Sequence, residues 1–209
     1  MNHSSLSITF PSGKTEQVPF DTPISNLLHH FEPTNDEILA VRINNEICSL
    51  DSNVEINCKL EPVLKNTKDG ANIYRRSLCL LLATAAHNLF PASHLLVGHS
   101  LGYGYYYTLD TGAPITQEQI TSLENEMQRL VQQDLPVTTK TISYEDAIKL
   151  FEELNLTETR KQLNYIAPQK IKINCIDNFS DMYFGPLVRS TGTLKVFSLM
   201  QYGEGFLLR

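Results

Sequence analysis

The four cysteines and six histidines of this 209-residue chain are the side chains best suited to metal ligation, nucleophilic attack or proton transfer. Cys48, Cys58, Cys79 and Cys175 contain no C-x-x-C pair, so they make neither a zinc knuckle nor a small disulfide framework. Reduced, structural thiols are expected. His94 and His99 flank an expected strand at a separation that matches no familiar ligand pair, with no cysteine or carboxylate partner beside them, and no metal is expected there. Tyr103, Tyr105, Tyr106 and Tyr107 crowd beside Gly102 and Gly104. Such rings can stack nucleobases, but tyrosines in a strand also pack into a half-buried sheet, and packing is the reading adopted. The phosphate cradle G-x-x-x-x-G-K-[ST], in which glycine-loop N–H groups and a lysine hold a nucleotide, is absent.

These residues need elements to place them. Leu6 to Phe10 alternate, Pro11-Ser12-Gly13 turns, and Thr15 to Phe20 return as a second strand. Pro23 opens a short helix whose Ile24, Leu27, Leu28 and Phe31 recur at helical spacing, leaving His29 and His30 at the stripe's edge. Strands follow over Ile38 to Ile43, Glu46 to Leu50 and Val54 to Val63, with Asn44-Asn45 as a tight turn. Polar Asn66 to Gly70 marks a boundary. Beyond it, Tyr74 to Phe90 places Leu78, Leu81, Leu82, Ala85 and Leu89 on one helical face, and Pro91 stops the helix. Leu95 to Thr108 reads as two strands around a glycine bend. Thr116 to Gln119 is a capping box for a helix whose apolar face is Ile120, Leu123, Met127, Leu130 and Val131. Ser143 caps another, with Ala147, Ile148, Phe151 and Leu154 inward. IKINCI, MYF, LKVFSL and FLLR read as a closing strand series from Lys170 onward.

With 42% hydrophobic and 19% charged residues, the chain can bury two small cores. The fold class expected is α+β: a β-grasp domain over residues 1–67 and a second α+β domain over 71–209. Acids outnumber bases two to one in the first 70 residues, and the whole chain carries a net charge of −6. That opposes general nucleic-acid binding by the front half, because phosphate neutralisation needs clustered Lys and Arg. No basic cluster precedes a long apolar run and no apolar stretch is long enough to span a bilayer, so the expected location is the cytoplasm, with no membrane partner.

The segments ITFPSGKTEQVPF and ILAVRINNEI resemble a TGS domain, the ubiquitin-like module of threonyl-tRNA synthetases and certain GTPases. RRSLCLLLATAAHNLFP, GHSLGYGYYYTLD, ITQEQITSLENEMQRLV and DMYFGPLV are similar, in order and spacing, to the second, amino-acid-editing domain of the threonyl-tRNA synthetase family. The run from Ser190 to Leu199 and the end Gly205 to Arg209 resemble the region ahead of the kinase domain in bacterial uridine-kinase-like proteins. That resemblance implies a kinase domain in cis as partner, with ATP and Mg used only there and no cofactor within these residues.

The editing domain carries two histidines four apart on its first long helix, then a cysteine and a histidine four apart around Gly-Pro. At the matching positions this chain has Arg76, Leu80, Tyr183 and Leu187. Leucine neither binds metal nor moves protons, and an ordinary phenol is a poor base near neutral pH. No catalytic residue is therefore assigned. The resemblance also implies a persisting pocket shape through Tyr106, Lys161, Asp181, Gly185 and Pro186. Candidate ligand contacts are these positions without Pro186, together with Tyr183, His99 and the bases Arg75, Arg76, Arg189 and Lys195. With Lys170 and Lys172 these bases make the local excess of positive charge that would favour a nucleotide phosphate or an RNA backbone. The functional expectation is a non-catalytic accessory region of a nucleoside kinase. The alternatives are a tRNA-like-shape RNA-binding module and a deacylase using Asp181 with Lys161.

Overall fold

The computed structural model describes residues 5–31, 37–102, 104–110, 112–166 and 169–209. The chain is mixed α+β and divides into two compact units, Met1–Tyr74 with Phe184–Arg189, and Arg75–Tyr183 with Ser190–Arg209.

In the first unit β1 (Ser5–Thr9) and β2 (Thr15–Pro19) form the expected antiparallel hairpin, with Leu6 opposite Val18. A 3-10 helix over Ile24–His30 follows, and Ile24, Leu27 and Leu28 turn inward as their spacing predicts. Then come β4 (Ile38–Ile43), β5 (Glu46–Cys48) and β7 (Cys58–Leu64). The sheet order is β2-β1-β7-β4-β5, with β1 and β7 parallel and the other pairs antiparallel. A five-stranded sheet whose first and last strands run parallel at its centre, with one helix in the crossover, is a β-grasp. Leu6, Ile8, Phe10, Ile24, Leu27, Val41, Val54 and Leu60 pack in its core. The expected single strand from Val54 to Val63 is two elements: a short β6 (Asn53–Val54) pairs with β3 (Thr22–Pro23), and β7 begins at Cys58.

The expected boundary at Asn66 to Gly70 is already helical from Lys68, because α1 runs over Lys68–Leu89. The Thr67 hydroxyl accepts the Gly70 N–H at 3.1 Å, as an N-cap does. Asp69 adds the negative charge that the first turn of a helix favours. Gly70 is required there, since a Cβ would run into the Leu64 carbonyl. Leu80 and Ala86 are buried along with the expected Leu78, Leu81, Leu82 and Ala85, whereas Leu89, in the last turn, is 39% exposed. α1 is thus buried on more than one face, which a single apolar stripe understates.

In the second unit β8 (His94–Leu101) and β9 (Gly104–Asp110) form the expected hairpin. Tyr103 lies outside the described residues. The α2 helix (Gln117–Gln132) carries both bonds of its capping box, with Gln119 N–H to Thr116 Oγ1 at 3.2 Å and Thr116 N–H to Gln119 Oε1 at 2.9 Å. β10 (Val137–Ser143) leads into α3 (Tyr144–Glu153), whose Asp146 N–H is capped by Ser143 Oγ. α4 (Thr157–Ile166) and β11 (Lys170–Ile176) follow, and β10 pairs with β11 from end to end. β10 and α4 carry no strong period and are new here.

The strand series at the end is only partly as expected. β12 is Phe179–Asp181 rather than MYF, and β13 (Leu199–Tyr202) starts only at the last leucine of LKVFSL. A 3-10 turn at Thr191–Thr193 precedes it, fixed by the buried Thr191 hydroxyl, which donates to the Leu130 carbonyl at 2.6 Å and accepts the Leu135 N–H at 2.9 Å. β14 (Gly205–Leu208) matches FLLR and lies between β13 and β9 in a four-stranded sheet, β13-β14-β9-β8. Among the described residues no helix is long and apolar enough to cross a membrane.

Candidate functional site

Four elements of the second unit bring polar side chains into one partly buried cluster. α1 supplies Cys79, β9 supplies Tyr107, and the end of β12 supplies Asp181 with Tyr183 just beyond it. α4 supplies Thr159. The Tyr107 hydroxyl is hydrogen-bonded to the Cys79 sulfur, and burial drives the pKa of both groups upward. Burial likewise raises the Tyr183 phenol well above its ordinary value, helped by the charges that Asp181, Cys79 and Tyr107 would carry. Arg75 and Arg76 pull the Cys79 thiol downward, but less than burial raises it. Thiol and phenols therefore stay protonated and serve as hydrogen-bonding groups, not as nucleophile or base.

Asp181 is half-buried, and its Oδ1 accepts the Thr159 hydroxyl at 2.8 Å and the Met182 N–H at 2.7 Å. Burial raises its pKa, and those two hydrogen bonds oppose the rise. The folded chain thus holds this proton more tightly than the unfolded chain. The stability linked to Asp181 is greatest when the carboxyl is protonated and declines as pH climbs from the ordinary carboxylate range through the raised folded value. Asp181→Asn keeps an oxygen for both donors and removes the charge. Its melting temperature at pH 7 is expected to exceed the parent's by about 2 °C or more, with the gain vanishing in acid, and scanning calorimetry at several pH values checks this.

The expected site residues do not form one cluster. Lys161 is exposed on α4 and pairs with Glu158 at 2.7 Å, while Asp181 is engaged by Thr159, so the acid-base pair Asp181 with Lys161 is not made. His99 and Tyr106 stand together, ring centroids 5.7 Å apart, but on the β8-β9 hairpin. Lys170 and Lys172 are exposed on alternate positions of β11, and Lys195 is exposed after the Thr191 turn. Gly185 and Arg189 belong to the first unit, where Arg189 donates to the Leu50 carbonyl at 2.9 Å and pairs with Asp51 at 3.0 Å. Of the four positions where the editing domain carries its chemical groups, Leu80 and Leu187 are buried as core residues.

Cys79, Tyr107 and Thr159 are absent from the sequence-based candidates. Strand parity was the available signal for Tyr107: in β9 it alternates with Tyr106, and only Tyr107 faces the core. Cys79 lies three residues from Arg76, one helical turn along α1.

A separate open groove of about 740 Å³ lies in the first unit, lined by residues that include His30, Phe31, Arg42, Glu61 and Asp69. Arg42 and Asp69 form an ion pair across it. His30 Nε2 stands 3.0 Å from a Glu16 carboxylate oxygen but outside hydrogen-bond geometry. Burial lowers the His30 pKa, the His29 ring beside it adds to that, and Glu16 only partly offsets both. Among the described residues no three His, Cys, Asp or Glu side chains gather as a metal site would require.

No protein-family model matches the chain. The chain is similar to the threonine–tRNA ligase of Desulforamulus reducens, 34% identical over 173 residues, which cover 81% of this chain and 27% of the ligase. It is similar to that of Maridesulfovibrio salexigens at 31% over 170 residues, covering 81% and 26%. For Ralstonia nicotianae the figures are 31% over 203 residues, 96% and 32%. These relatives support the synthetase side of the resemblance, and its uridine-kinase side finds no support in them. The chain spans about a quarter to a third of the length of the ligases it matches, and across most of its own length it is similar to that portion of a threonine–tRNA ligase.

Proposed function

We propose that this chain is an RNA-binding module that recognises a tRNA-like shape and does not hydrolyse the aminoacyl ester. The observation that carries the reading is similarity to threonine–tRNA ligases over 81–96% of the chain, set beside the buried Leu80 and the protonated Tyr183 at positions where editing chemistry would sit. Tyr107, Tyr183 and Cys79 offer hydrogen bonds from protonated groups, and Asp181 Oδ1 is already engaged by the Thr159 hydroxyl and the Met182 N–H. Phosphate contacts come from exposed lysines such as Lys161, Lys170, Lys172 and Lys195.

A net charge of −6 keeps those contacts few. Affinity for tRNA then falls by about a hundredfold, rather than several thousandfold, as salt rises from 50 to 200 mM, because each neutralised phosphate releases about one counterion. Filter retention of labelled tRNA over that salt range measures the slope. Absence of retention at the lowest salt refutes RNA binding.

A further inference from the structure

The sheet β13-β14-β9-β8 packs Tyr107 and Phe206 on one face, and its other face carries the half-buried Tyr106 and the exposed Tyr202, with Leu207 between them 3% exposed. Tyr107 and Phe206, opposite each other in register and stacked at 5.9 Å, lie on the inner face. On the outer face three rings form a row across strands. His99 of β8 lies 5.7 Å from Tyr106 of β9, and Tyr106 lies 6.1 Å from Tyr202 of β13. The register agrees: Leu207 opposes Tyr106, Gly205 opposes Tyr202, and positions two apart on β14 share a face.

Two glycines shape this row. A Cβ on Gly98 would stand 2.8 Å from Tyr106 Cδ1, and one on Gly205 would stand 2.8 Å from Tyr106 Cζ. The Tyr106 ring is lodged between these bare positions, which fixes it as the middle of the row. Tyr202 is 50% exposed, Met200 beside it 40%, and His99 is exposed as well. The exposed Arg209 side chain passes over Gly104, its Cγ 3.3 Å from where a Cβ would be, on the face that Tyr106 shares by strand parity. The nearest carboxylates in the chain sequence, Asp110 and Glu204, stand at the far end of β9 and in the turn between β13 and β14.

We infer that this outer face binds an unpaired stretch of RNA, whose bases stack on Tyr202 and His99 about Tyr106 while Arg209 meets a phosphate. Exposed rings with one flanking guanidinium suit a single strand: splayed bases gain stacking, and little backbone charge has to be neutralised. A duplex keeps its bases paired and offers mainly phosphates, for which the row has few cations. The inference rests on the RNA-binding reading above and adds which face and which form of RNA.

The test uses the 209-residue chain and an oligoadenylate of about ten nucleotides. The chain has nine tyrosines and no tryptophan, so quenching of tyrosine emission reports stacking directly, and anisotropy of an end-labelled oligonucleotide gives the affinity. Tyr202→Ala is expected to weaken binding about tenfold and His99→Ala severalfold, with Tyr202→Phe near the parent. An equal-length RNA duplex should compete poorly. Unchanged melting temperatures keep the alanine variants interpretable, since both residues are exposed. The inference is overturned if both alanine variants bind oligoadenylate like the parent, or if the duplex competes equally. It is overturned too if the chain retains tRNA but not oligoadenylate, in which case RNA binding stands and lies on another surface. Failure to bind either RNA removes the RNA-binding reading itself. Self-association that Tyr202→Ala dissolves, with no oligoadenylate bound, assigns the face to protein contact and also overturns the inference.

Discussion

Gly205→Ala is expected to cost about 3 kcal/mol, a fall in melting temperature of roughly 6 to 12 °C. A methyl at this position meets the Tyr107 backbone carbonyl on one side and the Tyr106 ring on the other. A ring can rotate, but the carbonyl belongs to β9, which pairs with β14 through Phe206 opposite Tyr107, Leu207 opposite Tyr106 and Leu208 opposite Tyr105. Relief therefore requires parting the two central strands of the sheet and unstacking Tyr107 from Phe206. Gly203→Ala, two residues away, is the control. Its φ is +57° and nothing lies within 4 Å of the added methyl, so it carries only the strain of a left-handed backbone, about 1 kcal/mol. Thermal melts that place the two variants together would show that β14 tolerates a side chain at Gly205 and that the close approach is not what holds the sheet.

Leu80→His restores an imidazole at a position where the resembled editing domain carries one, and it is expected to destabilise by about 3 kcal/mol without creating hydrolysis. Leu80 has no solvent exposure. Its loss forfeits about 2 kcal/mol of apolar burial. The incoming ring nitrogens then bring a further desolvation penalty, because the chain has been packed around an apolar group. Chemical denaturation measures the loss, and the lifetime of a mischarged aminoacyl-tRNA, incubated with parent and with variant, measures the chemistry. Both lifetimes are expected to match that in buffer. Faster deacylation by the parent would overturn the non-hydrolytic reading. Faster deacylation by the variant alone would show that the remaining groups, Tyr183 and Asp181 among them, still present a working site.

The two outcomes bear on one feature of the second unit. Cys79, Tyr107, Asp181 and Tyr183 bring a thiol, two phenols and a carboxyl together, yet burial keeps thiol and phenols neutral and Thr159 holds the carboxylate. The sheet that supplies Tyr107 to this cluster supplies Tyr106 to the outward row. One strand therefore divides its tyrosines between the packed interior and the opposite face of the sheet, and Gly205 lies where the two meet.

Local signals located most elements. The capping box at Thr116, the Ser143 cap, the hairpin around Pro11-Ser12-Gly13 and the apolar period of α2 each depend on residues close in the chain, so they could be read directly. The mixed α+β class and the β-grasp followed from the order of such segments. The replaced chemical groups were legible as well, because identity at a matched position is sequence information. Elements held by distant partners were not. β10 is mostly exposed and polar, and it is a strand because β11 pairs with it throughout. The run from Leu194 to Phe197 has strand-like composition but belongs to no strand, and the Thr191 hydroxyl fixes the turn before it through Leu130 and Leu135.

For the site, the sequence alone determined which chemistry is missing: Arg76, Leu80, Tyr183 and Leu187 cannot supply two imidazoles, a thiolate and a third imidazole. It also read the tyrosine run as sheet packing. Tertiary structure divided the run between the two faces of the sheet, because strand parity places Tyr107 against Phe206 in the core and Tyr106 beside His99 on the other face. Only the fold could bring Cys79, Thr159 and Asp181 to Tyr107 and Tyr183, or set His99 and Tyr202 on either side of Tyr106. Those contacts join residues far apart in the chain, and their distances are set by sheet register and helix packing, to which no short stretch of sequence has access.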